Sequence, residues 1–302
     1  MAFSKLNGDE AGIIFGQLCN VFEPSVAVAF SSANSGLWAL TRALRQQLRA
    51  EYEAAVAVCY KLGVWPCKEM REATRIEWIS NDISATDLTT LGTLGSVLPA
   101  LDQLVLIDSS GHCSAAGFDG VQRLAAGLGA GALPSVSLLC LTNMHAGEAG
   151  ASALAAALGR GALPRLEALI LINAGIGDAG LVALAPVLRR LPALKFLFLS
   201  QNPLGDEGLA ALVAPPPPAS ALSPSTGVLT KLELLGLSLT QVSDVGCAAL
   251  AAVLDGGALL ALETLKLYGI PASAAAKAAV YEARDKLQGS ESDSESEEED
   301  EE

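Results

Sequence analysis

The sequence has 302 residues, a length that fits a repeat array with a small accessory domain. Hydrophobic residues make up 51% of it and aromatic residues only 5%, so its core must be aliphatic, mainly Leu and Ala. The net charge of −14 argues against nucleic acid and anionic membranes as partners, because binding to phosphates requires clustered Lys and Arg.

Cysteine and histidine are too few and too scattered for a metal centre or a disulfide framework. The six cysteines form no C-x-x-C pair, and His112 and His145 are the only histidines. The uncharged stretch from Leu124 to Gly147 is interrupted by Pro134, and we interpret it as helix, loop and strand. The first residues lack the basic start and apolar run of a signal peptide, so we do not expect one. We therefore expect no metal, no cofactor, reduced thiols and a location in the cytoplasm or the nucleus.

Residues 1–72 carry helical signals and lack the repeat that follows them. Helices are predicted over Asp9–Val21, Pro24–Phe30, Thr41–Leu62 and Lys68–Ala73, with Thr41 capping the third helix and Gly63 stopping it. The minimal role of this part is to cap the open end of a repeat array.

Five side chains of this part follow the spacing of a known helix. They are Leu6, Asp9, Ile14, Phe15 and Leu18. Their pattern resembles the first helix of an F-box, L-P-x-[DE]-x4-I-F-x2-L, with Asn7 in place of Pro. The resemblance implies that these residues dock on a Skp adaptor, and that the chain is a substrate receptor of a cullin-type ubiquitin ligase acting in ubiquitination. A plain helical cap or an unrelated docking domain is the alternative.

Residues 73–288 repeat one pattern about seven times. Counted from Leu194, its positions 1, 4, 6, 9, 11, 15 and 19 are Leu194, Leu197, Leu199, Asn202, Leu204, Gly208 and Leu212. Copies begin at residues 73, 101, 136, 166, 194, 232 and 262. Positions 4 and 6 alternate as in a strand, and the later leucines have helical spacing. The Gly at position 15 permits close approach of helix and loop.

This pattern resembles the ribonuclease-inhibitor type of leucine-rich repeat. The resemblance implies an α/β solenoid: a horseshoe with a parallel sheet inside and helices outside. Asn143 and Asn173 stand one place early and Thr240 stands where Asn is usual, so a regular asparagine ladder is not expected.

Positions 3, 5 and 7 of each repeat should point away from the core, into the concave face. The apolar residues expected to bind a protein partner there are Val105, Ile107, Leu138, Ile170, Ile172, Phe196, Phe198 and Tyr268. The aromatic ones would be anchors. Two alternatives stay open: β-propensity alone filled these positions, or another part of the chain covers them.

Residues 289–302 form an acidic stretch that we predict to be disordered, because like charges repel and nothing apolar can be buried. Four serines have an acidic residue three places on, a pattern that suits an acidophilic kinase. These phosphorylation candidates are Ser290, Ser292, Ser294 and Ser296.

The sequence assembles no catalytic residues, and we expect no enzymatic activity. One alternative is catalysis-related, since the repeat class followed by an acidic segment is similar to Ran GTPase-activating proteins, which would make the partner a small GTPase. That family relies on an essential Arg, whereas the loops after the predicted strands contain none. The number of repeats is also lower than that family uses.

Overall fold

The N-terminal part of the chain is helical, as predicted. The computed structural model describes residues 6–110, 116–117, 119–214 and 229–292. The first helices are α1 (Gly8–Leu18), α2 (Ser25–Ser31), α3 (Ser35–Leu40) and α4 (Arg42–Lys61), followed by a short 3₁₀ helix (Cys67–Arg71). Thr41 stands at the N-cap position of α4, as predicted, but its hydroxyl donates to the Leu37 carbonyl at 2.7 Å and makes no capping hydrogen bond.

The apolar side chains of these helices are divided between two cores. The small one lies among α1, α2, α3 and the first half of α4; its buried members are Ala11, Phe15, Ala27, Phe30, Leu37 and Leu48. Further along α4, Ala55, Val58 and Cys59 belong to the large core that continues through the repeats. Helix α4 therefore takes part in both cores, and packing does not break at the predicted domain boundary after residue 72. Its second half covers the first repeat, as an end cap does.

A partly buried ion pair joins this cap to the first repeat. The Asp87 carboxylate accepts from Lys61 Nζ at 2.7 Å and from the Ser84 hydroxyl at 2.6 Å. Burial alone would raise the pKa of Asp87, but the Lys61 ammonium and the Ser84 donors outweigh it and lower the pKa below the ordinary 3.8. A depressed folded-state pKa stabilises the fold above the unfolded-state pKa, and this stability is lost as the pH falls through the folded-state value.

We therefore expect Asp87→Asn to lower the free energy of unfolding by about 2 kcal/mol at neutral pH, since hydrogen bonds to a charged group are lost. The difference from the wild type should shrink as the pH falls below 3.8. Denaturant unfolding at several pH values measures it. A difference that stays constant into acid would contradict the assignment.

The repeats form one parallel sheet in chain order, and each strand is followed by a helix, as predicted. The described residues contain seven strands: β1 (Arg75–Ser80), β2 (Gln103–Asp108), β3 (Leu138–Thr142), β4 (Ala168–Ile170), β5 (Phe196–Phe198), β6 (Leu234–Gly236) and β7 (Thr264–Lys266). The helices are α5 (Ala85–Leu94), α6 (Gly120–Gly127), α7 (Gly147–Gly159), α8 (Asp178–Leu188), α9 (Asp206–Val213), α10 (Asp244–Asp255) and α11 (Ala274–Ser292).

The leucines at positions 4 and 6 build the interior, as the alternation predicts. Leu169, Leu197 and Leu235 are paired neighbours on β4, β5 and β6, and all three are fully buried. A single strand and helix cannot enclose such side chains, so each repeat depends on its neighbours for burial. The sheet face on the other side from this core is the concave face of the prediction.

Contacts near the starts of the helices join consecutive repeats. At position 15, a Cβ on Gly208 would lie 2.8 Å from Asp178 Oδ1 of the preceding repeat, so a larger residue would displace this carboxylate. The Gly208 amide donates to the same oxygen at 2.9 Å. The predicted close approach at this glycine is confirmed, and the acidic residue at the start of α8 serves as an acceptor for the next repeat.

The C-terminal boundary of the prediction needs a correction. Helix α11 continues to Ser292, so the disordered stretch cannot begin at residue 289. Ser290 and Ser292 lie within this helix, whereas Ser294 and Ser296 lie outside the described residues. Within the described ranges, no helix is both long and apolar enough to cross a bilayer. The stretch from Leu124 to Gly147 contains the end of α6, a loop and β3, as interpreted from the sequence.

Candidate functional site

The strand register arranges the side chains of the concave face in rows that cross the sheet. One row holds Arg75, Gln103, Leu138, Ala168, Phe196, Leu234 and Thr264. The next row holds Glu77, Val105, Cys140, Ile170, Phe198, Gly236 and Lys266. Adjacent members stand on neighbouring strands, which are about 4.8 Å apart, a spacing at which neighbouring side chains can contact each other.

The middle of these rows is apolar and partly open. We define the apolar centre as Leu138, Ile170, Phe196 and Phe198 of these rows, with Ile107 on β2 and Ile172 just after β4 at the next outward position; all six are partly exposed. The structure thus brings together six of the eight residues predicted for this face. Val105 is a correction, since it is only 9% exposed between its neighbours and offers a partner little surface.

Phe198 has the most specific surroundings in the apolar centre. The neighbouring position on β6 is Gly236, where a Cβ would lie 3.0 Å from the Phe198 ring. Because this position has no side chain, Lys266 on β7 reaches across β6 and places Nζ 5.5 Å from the ring centroid. The cation and the ring attract each other at this distance, which favours one orientation of the ring on the open face.

Tyr268 does not join the apolar centre. It is 80% exposed and follows β7 at the far end of the sheet. The equivalent positions after β5 and β6 are Ser200 and Ser238, whose short polar side chains lie between Tyr268 and Ile172. The prediction of three aromatic anchors in one surface is therefore corrected to two, Phe196 and Phe198, with Tyr268 apart from them.

Charged side chains stand at the two ends of the rows. On β1, Arg75 and Glu77 form an exposed ion pair with 2.8 Å between Nη2 and Oε2. On β7, Lys266 is exposed. The face is thus apolar in the middle and charged at its ends, an arrangement common in protein interfaces with an apolar core and a polar rim.

The chemistry available on this face is that of binding. Cys140 is the only thiol in the two rows, and burial, with a smaller effect from the Glu77 charge, raises its pKa despite a contact with Thr142. It is therefore a neutral thiol at physiological pH and a poor nucleophile. Among the residues whose placement is described, no cluster of His, Cys, Asp and Glu could hold a metal ion.

Comparisons with known proteins bear on the fold. A family model described as a leucine-rich repeat matches residues 192–213, which contain β5 and α9. No curated protein matches the chain. Among solved structures, an internalin from Listeria monocytogenes matches with 11% sequence identity and a TM-score of 0.25, over 75% of this chain and 92% of the internalin chain.

The matched repeat is one unit of a seven-stranded parallel sheet in chain order. The fold is a leucine-rich-repeat solenoid. Leucine-rich-repeat domains generally mediate contacts between proteins, and they are typically not enzymes. The concave face with its apolar centre is therefore the candidate site of this solenoid.

The residues predicted to dock on an adaptor lie on α1 and just before it, and the structure separates them. Phe15 is only 1% exposed and belongs to the small helical core, so its assignment to docking is corrected. Leu6, Ile14 and Leu18 pack against that core and stay partly exposed, while Asp9 is exposed. The sequence reading missed Ile13, a neighbouring apolar side chain that is 64% exposed.

Proposed function

We propose that this solenoid is a non-enzymatic interaction module that binds a protein partner on its concave face. The observation that carries the proposal is the apolar centre, six partly exposed apolar side chains on or just after the strands β2 to β5. Apolar surface of this kind on a soluble protein usually marks a contact site. Phe196 and Phe198 would be the anchors, since aromatic side chains dominate the binding energy of many interfaces.

We expect the double variant Phe196→Asp/Phe198→Asp to bind its partner with an affinity lower by about tenfold or more. Hot-spot residues contribute about 2 kcal/mol or more to binding. The full chain on beads would be incubated with cell extract, and retained proteins would be quantified by mass spectrometry. The matched control is Val182→Asp/Val245→Asp, which places the same two charges at exposed apolar positions of α8 and α10.

The supporting result is a set of proteins retained by the wild type and the control but lost from the concave-face variant. Retention of the same set by all three proteins would remove the concave face from the proposal. Equal losses from the concave-face variant and the control would mean that binding depends on overall charge.

A finer proposal concerns the N-terminal helices. We propose that they are F-box-like and dock on a Skp adaptor of a cullin-type ubiquitin ligase, in the cytoplasm or the nucleus, while the repeats, of ribonuclease-inhibitor type, hold the substrate. Support comes from the small core of α1, α2, α3 and the first half of α4, and from the exposed Ile13 and Asp9 beside it. Binding of a purified Skp adaptor to the full chain tests it, with Ile13→Asp as the variant.

The alternative, regulation of a small GTPase in the manner of Ran GTPase-activating proteins, is supported only by the repeat class and the acidic stretch. The loops after the strands supply no Arg that could reach a nucleotide. Stimulation of GTP hydrolysis by Ran in the presence of the purified chain is the test of this alternative.

A further inference from the structure

A second open surface lies on the N-terminal helices, outside the concave face. It is a groove of about 880 Å³ between α2, α3 and α4. Apolar lining comes from Val28 on α2, Trp38 on α3 and Leu48 on α4. Val28 and Trp38 are 40% and 47% exposed, so the groove offers apolar area to a ligand. Its residues differ from those of α1 that the F-box resemblance selects.

Three arginines of α4 line the same groove. Arg42, Arg45 and Arg49 follow the spacing i, i+3 and i+7, which places them on one side of a helix and spreads them over about 10 Å. The lining contains no Asp or Glu. This positive strip stands out because the chain as a whole carries a net charge of −14.

Arg45 is held in place by Trp38, and one of its hydrogen-bond donors has no acceptor in the described part of the chain. Its guanidinium lies 3.2 Å from the centroid of the Trp38 ring, and Nη2 donates to the Trp38 carbonyl at 2.6 Å. Its Nε is buried and, among the described residues, has no acceptor. A buried donor without an acceptor is costly, so a shift of the Arg45 side chain that brought Nε to a ligand carboxylate would be favoured.

The other two arginines are accessible to a ligand. Arg42 is exposed. Arg49 pairs with Glu53 at 2.9 Å, but both side chains are largely exposed, and such surface pairs contribute little and exchange readily. A carboxylate of a ligand can therefore compete for Arg49.

We propose that this groove docks a short acidic segment of a partner protein, in which an aliphatic or aromatic residue stands between carboxylates. The apolar residue would occupy the floor beside Trp38 and Val28, and the carboxylates would pair with the arginines. Nucleic acid fits poorly, since three arginines on an acidic chain cannot offset the repulsion of a phosphate backbone.

The acidic stretch of the chain itself matches the charge of the groove but not its apolar surface. Residues 289–302 contain only Gly, Ser, Asp and Glu, so they offer carboxylates but no side chain for the apolar floor. In this account the stretch is at most a weak competitor. The groove and the concave face are independent sites, and the failure of one proposal leaves the other standing.

The test uses two fluorescein-labelled peptides and fluorescence anisotropy with the full chain. The first is Glu-Asp-Leu-Phe-Glu-Asp, and the second is Glu-Asp-Ser-Gly-Glu-Asp, which has equal charge and no apolar residue. We expect the first to bind more tightly by about tenfold, the factor that about 1.4 kcal/mol of apolar contact gives. Added salt should weaken both.

Three variants locate the binding. Arg42→Glu/Arg49→Glu should weaken the first peptide by about tenfold or more, whereas Arg165→Glu/Arg190→Glu, exposed arginines of the repeats with the same change in charge, should not. Trp38→Ala should weaken the first peptide more than the second, because the second loses only the positioning of Arg45. Equal binding of the two peptides, equal loss in both charge variants, or no binding at millimolar peptide would each overturn the proposal.

Discussion

Replacing Asn202 with alanine is expected to lower the free energy of unfolding by about 3 kcal/mol, since each buried polar group left without a partner costs about 1 kcal/mol or more. Asn202 is almost fully buried between β5 and α9. Its carbonyl oxygen accepts from the amides of Ala174 and Ile176, both at 3.0 Å. Its amide donates to the Leu171 carbonyl at 2.6 Å. These partners belong to the preceding repeat, so the side chain holds two repeats together.

The matched control is Thr240→Val, because Thr240 occupies the same place one repeat later. Its hydroxyl makes one bond, to the Leu237 carbonyl at 2.7 Å, and its loss should cost about 1 kcal/mol. Denaturant unfolding of the full chain measures both variants. Equal losses would show that Asn202 contributes no more than an ordinary buried hydroxyl.

The repeat region is predictable from sequence because one physical requirement recurs in every unit. Leucines at positions 4 and 6 must face the same interior, and once Leu197 and Leu199 are placed, the outward direction of Phe196 and Phe198 follows. The departures from the asparagine pattern are also visible in the sequence. Met144 and Ala174 take the place of Asn202 in the two preceding repeats, and they are fully buried.

The details of the concave face depend on neighbouring strands, which one strand's sequence does not reveal. Val105 is apolar and points outward, yet the side chains around it cover it. Tyr268 is isolated because the preceding equivalent positions carry serines. The orientation of Phe198 depends on Gly236 and Lys266, which are distant in sequence and meet the ring only through the register.

The N-terminal part was less predictable because it has no repeat to fix a frame. A helical pattern identifies apolar faces but cannot say which of two cores a face enters, and Phe15 was therefore assigned to a surface. The arginine strip of α4 could have been found, since Arg42, Arg45 and Arg49 have helical spacing. Its pairing with Trp38 requires the fold, because α3 precedes α4 as a separate helix.

We expect the largest effect on stability from a charge placed on the buried side of β5. The Leu197 side chain is fully buried in the core, whereas the adjacent Phe198 side chain is partly exposed to solvent. Leu197→Asp buries a charge without a partner, which costs several kcal/mol and should unfold the central repeats. In Phe198→Asp the new carboxylate faces solvent and the Lys266 ammonium, so we expect a loss of about 1 kcal/mol or less.

Thermal unfolding of the full-length wild type, Leu197→Asp and Phe198→Asp tests most directly whether the concave face is a free surface available to a partner. The predicted result is a melting temperature for Phe198→Asp within about 4 °C of the wild type and a decrease of about 10 °C or more for Leu197→Asp. A comparable decrease for both variants would show that the Phe198 side is interior, and it would contradict the assignment of the concave face as a binding site.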